Sequence, residues 1–377
     1  MKELQRILEL WAEAKSSGEP AVLATVVKTR GSAYRLPGAR LLLTQSGKRA
    51  GSVSGGCLED DLTRKAWWLT ENGPVVKRYD TTPEGEIASS FGLGCSGIIY
   101  VLLERLNLAE NILLMIRKVR LERKPAAIAY VIHPRELVGQ KLVIDASGHV
   151  THDFRNGALA NFLEGESRTA LLERSSRNVR TKDGLEAFIE VVTPEVRLLI
   201  FGAGDDAIPL TDLAKHLGWH VTVFDGRAHY ARREKFPNAG EVLVRETAEA
   251  AASAGIDHWT AAVLMSHSYS QDLAALRKLA SRDLRYLGIL GPRKRTEQLI
   301  GEIGPDVSRL GPALHSPMGL DIGADGPEQV ALAVVAEIQA VLNGRTGGAL
   351  RERGGSIHSR EEGFPEEEQV WVQLSCV

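Results

Sequence analysis

A short apolar run at residues 196–201 ends on Gly202-Ala203-Gly204-Asp205-Asp206-Ala207 and passes straight into a helical pattern. Glycines at this spacing, between a strand and a helix, let the backbone turn sharply and bring its N–H groups up to an anion at the helix N-terminus. A second strand, at 220–224, ends on Asp225, and Arg227 follows. Asp225 lies at roughly the 20-residue distance where an acid in such a unit meets a ribose hydroxyl. The chain then keeps alternating: strand 261–265, helix 271–280, strand 286–290, helix 293–303. A last helix opens at Gly326-Pro327-Glu328 and runs to Leu342. Alternation of this kind, with strands apolar on both faces, predicts a parallel, doubly wound sheet with a ligand crevice at the carboxyl ends of its strands.

The first half reads differently. Residues 21–28 and 39–44 are β-rich runs separated by Leu36-Pro37-Gly38, and Gln45-Ser46-Gly47-Lys48 reads as a hairpin loop, which predicts an antiparallel sheet. Helices are expected at 58–69 and 111–123, and strands at 75–79, 98–104, 126–132 and 141–144. A chain of 377 residues exceeds one ordinary core of roughly 100–200 residues. The expected fold is therefore α/β, a C-terminal Rossmann-like doubly wound parallel sheet at 195–345 preceded by an α+β N-terminal domain at 1–190. A Gly- and charge-rich tail follows at 346–377, with a strand-like pattern returning at 370–377.

Charge narrows the partners. Lys plus Arg at 46 against Asp plus Glu at 48 leaves a net charge of -2, so no broad positive field holds a nucleic acid or an anionic membrane. No stretch reaches the roughly 18 continuous apolar residues of a membrane span, and the charged N-terminus does not read as a secretory signal. Three cysteines, an odd number, make a poor disulfide framework and point to a reducing cytoplasm.

Several residues are placed to carry chemistry. Gly202, Ala203 and Gly204 form the anion-binding turn. Asp205 and Asp206 either bring two negative charges beside a bound pyrophosphate or simply complement the helix dipole. His267 follows one strand end, and Gly291, Arg293 and Arg295 follow the next. A histidine and a basic loop should thus converge on the crevice, His267 to bond a ligand and an arginine to hold a phosphate, unless both are merely surface residues. In the first domain, Gly55 and Gly56 precede Cys57 at the start of a helix, in a loop rich in backbone donors where the dipole favours thiolate. Glu59, Asp60 and Asp61 oppose that. Cys95 sits in a second Gly-rich loop, GLGCSG. Both cysteines read equally well as small residues in tight turns or as thiols that bind a ligand or handle sulfur. No Cys/His spacing completes a zinc site.

These motifs in this order resemble the XdhC/CoxI family of xanthine dehydrogenase accessory proteins: GSVSGGCLED, FGLGCSGIIYVLLERL, LLIFGAGDDAIPLTDLAKHLGWHVTVFDGR, VLMSHSYSQDLAAL, YLGILGPRKR and SPMGLDIGADGPEQVALAVVAEI. Asp205-Asp206 departs from the His-Val often found there. The resemblance implies a cytoplasmic chaperone, rather than a catalyst, that binds molybdenum cofactor (molybdopterin). It further implies sulfuration of that cofactor with a cysteine desulfurase and insertion into an apo xanthine dehydrogenase-like molybdenum hydroxylase, with a homodimer as an open possibility. On this reading the two domains hold the cofactor together: Gly202, Ala203, Gly204, Asp205, Asp225, Arg227, His267, Gly291, Arg293, Gly55 and Gly56 contact it, and Cys57 and Cys95 handle metal or sulfur. The alternatives are an NAD(P)-dependent oxidoreductase using the crevice, and a purely structural assembly factor.

Overall fold

The computed structural model describes residues 2–81, 97–304 and 310–352. The described chain divides into two compact units, residues 6–193, and residues 194–352 together with residues 2–5.

After helix α1 (Lys2–Ser17), the N-terminal unit contains two five-stranded sheets, both antiparallel. The first comprises β1 (Ala21–Gly31), β2 (Arg40–Thr44), β3 (Arg49–Gly51), β4 (Val75–Asp80) and β5 (Gly97–Arg105), in the order β3-β2-β1-β5-β4. Helix α2 (Cys57–Leu69) lies between β3 and β4 in the chain. It buries Leu58, Leu62 and Ala66 with Val22, Ala24, Val26, Leu41 and Leu43 on one face of this sheet. Helix α3 (Leu106–Glu122) leads to the second sheet, made of β6 (Ala126–His133), β7 (Lys141–Ile144), β8 (Val150–His152), β9 (Arg177–Arg180) and β10 (Glu186–Val192). Its order is β8-β7-β6-β10-β9, and α4 (Gly157–Glu173) packs on it through Ala160, Leu163 and Ala170.

One antiparallel sheet was expected; the structure has two. Ion pairs couple them: Lys28 with Glu186 at 2.5 Å, Lys141 with Glu104 at 2.6 Å, and Arg40 with Glu190. The Arg40 guanidinium also donates to Tyr130 Oη and to the Gly38 carbonyl, both at 2.9 Å. Charges buried this deeply persist only when paired and hydrogen-bonded on several sides. The sequence reading had no helix at α4, whose pattern is interrupted by Gly165 and whose start is marked by a single cap, Asn156, accepting from the N–H groups of Ala158 and Leu159.

The C-terminal unit is the doubly wound sheet expected. Its strands β11 (Arg197–Phe201), β12 (His220–Asp225), β13 (Glu241–Val244), β14 (Thr260–Leu264), β15 (Tyr286–Ile289) and β16 (Leu314–His315) are all parallel, in the order β13-β12-β11-β14-β15-β16. Helices α5 (Ala207–His216) and α9 (Pro327–Leu342) bury one face, through Leu210, Ala214, Val334 and Ile338. Helices α6 (Thr247–Ser253), α7 (Tyr269–Leu279) and α8 (Arg293–Ile303) bury the other, through Ala250, Leu276 and Leu299. The chain winds outward from β11 to β13 and then returns to β14 beside β11, so the order reverses there. The crevice of such a sheet opens at that reversal. β13, α6 and β16 were not foreseen; each is short, and β13 is a sheet-edge strand with exposed ends.

Candidate functional site

The glycine turn after β11 is set by close backbone approach. Gly202 has φ +125°, and a Cβ there would stand 2.4 Å from the Met265 carbonyl oxygen, so no larger residue fits. The Gly202 N–H donates to the Phe224 carbonyl at 2.8 Å and the Ala203 N–H to Asp225 Oδ2 at 2.9 Å, which ties the turn to the end of β12. Asp225 is fully buried. Its Oδ1 accepts from the Arg227 N–H and Nε and its Oδ2 also from Arg227 Nη2, at 2.8–2.9 Å. Burial pushes the Asp225 carboxyl up, but Arg227 and the two backbone N–H groups outweigh it and hold the pKa below the ordinary value. The residue anticipated as a ribose acceptor is thus a keystone, with both oxygens engaged by the protein.

Lys235, which the sequence reading missed, completes the turn. Its ammonium donates to the Ala203 carbonyl at 2.7 Å and pairs with Asp205 Oδ1 at 2.7 Å, so the exposed Asp205 carboxyl is held below its usual pKa by Lys235. Tyr230 lies under this cluster, its ring centroid 4.2 Å from the Arg227 guanidinium carbon and 5.1 Å from Lys235 Nζ. No spacing rule marks a lysine in the loop between β12 and β13; only the folded loop brings it back to Ala203.

On the other side of the switch point, His267 adopts the left-handed conformation at φ +59°. Its Nε2 lies 2.7 Å from Asp206 Oδ2, linking the β14 loop to the start of α5. Non-glycine residues in that conformation are uncommon and cluster at functional sites, although histidine tolerates it better than most. Asp206 Oδ1 is buried with no hydrogen-bond partner among the described residues.

The basic loop after β15 divides its arginines. Arg295, considered for a phosphate, gives Nη2 to Asp272 Oδ2 at 2.8 Å, and Asp272 Oδ1 accepts from the Ser266 hydroxyl at 2.5 Å; Arg295 therefore braces α7 and the β14 loop. Arg293 is exposed and opens α8, a helix with no acidic residue in its first turn. A cation there opposes the helix dipole, an arrangement that an incoming anion would relieve. Gly291, at φ +124°, makes the turn just before it. Next to this loop, Met318 and Ser316 reach the Ile289 carbonyl, and Glu337 of α9 accepts from the Tyr286 hydroxyl at 2.6 Å and the Gly319 N–H at 2.8 Å. His315 Nδ1 lies 3.3 Å from the same carboxylate.

In the N-terminal unit, the loop leading to Cys57 gives several of its donors to an anion of the chain's own, Glu59. The Glu59 carboxylate accepts from the N–H groups of Val53, Ser54 and Gly56 at 2.8–3.0 Å, from the Ser52 hydroxyl at 2.7 Å and from the Ser54 hydroxyl. Burial pushes its pKa up, yet the Ser54 and Ser52 hydroxyls and the loop N–H groups hold it below the ordinary carboxylate value. Gly56, at φ +124°, forms the cap and Cys57 is the first residue of α2. A Cβ on Gly55 would lie 3.9 Å from the Tyr34 ring. Cys95 lies outside the described residues, as does most of the tail expected at 346–377. Among the described residues, no cluster of three His, Cys, Asp or Glu side chains suits a metal ion, and no helix is long and apolar enough to cross a membrane.

Comparison with known proteins bears on both units. Residues 198–338 match the XdhC Rossmann domain, and residues 14–80 match the XdhC and CoxI family. The chain is similar to a protein of Bacillus subtilis described as a probable xanthine dehydrogenase subunit, with 33% identity across 85% of this chain and 92% of that one. It is also similar to the molybdenum cofactor insertion chaperone PaoD of Escherichia coli, with 28% identity across 89% of this chain and 87% of that one. Among solved structures, one described as a xanthine dehydrogenase from Bacillus halodurans superposes with a TM-score of 0.76 at 29% identity, covering 90% of this chain and 96% of that one. Two domain matches in the expected order, and a relative aligned over nearly its whole length, establish that this chain is a member of the XdhC/CoxI family.

Proposed function

We propose that this protein is a maturation factor for a xanthine dehydrogenase-like molybdenum hydroxylase, binding molybdenum cofactor as cargo, assisting its sulfuration with a cysteine desulfurase, and delivering it to the apo-enzyme. The observation that carries this reading is the switch-point crevice of the C-terminal unit, a glycine turn ringed by groups that hold a polar, anionic, heterocyclic cargo. Arg227, stacked on Tyr230, and Lys235 fix the turn through Asp225, Asp205 and the Ala203 carbonyl, and His267 and the exposed Arg293 are the groups assigned to the cargo. Open crevices at such reversals are where small molecules bind in this architecture. Likeness to a protein named as a molybdenum cofactor insertion chaperone, across most of the chain, supports the choice of cargo.

The thiols of Cys57 and Cys95 are assigned to metal or sulfur handling. The test is anaerobic incubation of the purified chain with free molybdenum cofactor, then gel filtration and quantitation of co-eluting molybdenum and pterin. Stoichiometric retention is expected, weakened by Arg227→Ala and by Cys57→Ser or Cys95→Ser. A wild-type chain that retains nothing refutes the carrier role. Retention undiminished in both cysteine variants removes the thiols from it.

A further inference from the structure

Resting on the carrier reading, we propose that the glycine turn of this chain is closed to pyrophosphates. The crevice would then take the pterin cofactor as its monophosphate and exclude dinucleotides, whether a nicotinamide dinucleotide or a nucleotide-extended pterin. In a dinucleotide-binding turn, the second glycine lets the pyrophosphate approach the backbone, and the helix N-terminus beyond it faces the phosphates. Here that space holds the chain's own acids. A Cβ on Gly204 would stand 2.5 Å from Asp206 Oδ1 and 3.6 Å from His267 Cδ2 and Nε2, so a carboxylate and an imidazole already lie against the second glycine. The bridge between Asp206 and His267, 2.7 Å long, holds both in place across the switch point.

Two backbone donors of the turn, the N–H groups of Gly202 and Ala203, are also engaged. The Ala203 N–H is given to Asp225 at 2.9 Å, and both oxygens of that carboxylate are occupied by Arg227, so neither a phosphate nor a ribose finds a free partner there. Lys235, a cation at the turn, is paired with Asp205 and with the Ala203 carbonyl. A pyrophosphate would have to displace the Asp206–His267 bridge and lie beside two carboxylates. The carboxylate of Asp206, only 20% exposed, repels a phosphate placed against Gly204, and the exposed Asp205 adds a weaker, solvent-screened repulsion. A single phosphate at the far end of a pterin need not touch this turn, and the exposed Arg293, at the start of the helix after β15, is the cation we assign to it.

The experiment uses the full-length chain and its Asp205→Asn/Asp206→Asn double variant, which keeps side-chain shape and removes both charges, with circular dichroism to confirm folding. NADH fluorescence titration is run on both proteins. Retention of the pterin cofactor in its monophosphate and dinucleotide forms is measured in parallel. The wild type is expected to show no saturable NADH signal up to about 1 mM and to retain the monophosphate form in preference. The double variant should gain at least about tenfold in NADH affinity. Saturable NADH binding by the wild type, equal retention of both pterin forms, or no gain in the double variant overturns the proposal. If the wild type retains neither pterin form while the double variant gains NADH, the exclusion of pyrophosphates stands and the carrier reading falls.

Discussion

Replacing Asp225 by Asn tests whether the crevice is built around a saturated keystone. The two carboxylate oxygens accept four hydrogen bonds, three from Arg227 and one from the Ala203 N–H, in a fully buried site. An amide can keep only the pair on one oxygen, so its NH2 must face either Arg227 Nη2 and the Ala203 N–H or the other two donors. Hydrogen bonds to charged groups contribute about 1.5–3 kcal/mol each, so losing two costs about 3–6 kcal/mol before relaxation. Arg227, whose side chain is 35% exposed, can turn toward water and recover part of this. The backbone N–H left facing the amide, that of Ala203 or of Arg227, cannot, which leaves a loss of about 2–4 kcal/mol. For a unit of this size that corresponds to a fall of roughly 4–16 °C in the melting temperature of the C-terminal unit, read by calorimetry. Cargo retention should fall with it, because the turn loses its anchor to β12. A loss below about 1 kcal/mol with retention unchanged would show that Asp225 does not hold the turn and would refute the reasoning.

Three further outcomes are expected. In the N-terminal unit, Glu190→Ala strands the Arg40 guanidinium, 5% exposed, and should destabilise by about 3–5 kcal/mol; the Arg40→Met/Glu190→Met pair should recover most of that, and a denaturant-unfolding cycle showing simple additivity would count against a coupled pair. Gly202→Ala meets the Met265 carbonyl at 2.4 Å and a positive φ, so it should cost at least about 3 kcal/mol and abolish cargo retention; a soluble variant with wild-type melting would mean the turn can shift. Asp225 and Glu337 are held below their ordinary pKa values, so the stability they add is complete above about pH 5 and is lost as pH falls through their lowered native values. Melting curves of the C-terminal unit should therefore be flat near neutrality and fall in acid, with a shallower fall in Asp225→Asn; identical acid slopes would exclude the aspartate as a contributor.

The glycine turn was legible because three local signals agree: an apolar run that can only be a buried strand, Gly202 and Gly204 at the turn, and helical periodicity from Ala207. Asp225 could be placed at the end of β12, yet its role depends on where Arg227 folds back, which no spacing encodes. Lys235 was invisible for the same reason. Arg295 looked like a free cation because its partner Asp272 lies on a different helix, one strand away in the sheet. In the N-terminal unit, Glu59 read as one of three acids at a helix start. The loop that wraps it depends on Val53, Ser54 and Gly56 turning their N–H groups inward, which no local pattern encodes. Short strands such as β13 and β16 carry too few residues for a period-2 pattern, and tertiary pairing alone creates them.

The carboxylate enclosed by residues 52–56 also bears on rates. A loop whose N–H groups wait for a ligand is loose until it arrives, so association carries an ordering entropy and a slow conformational step. Glu59 removes that step, since the segment before Cys57 is ordered during folding, around a charge the chain carries with it. A ligand reaching the start of α2 meets a frame that is already fixed. Capture at this loop should then proceed with encounter-limited kinetics and without the heat-capacity change that accompanies folding on binding.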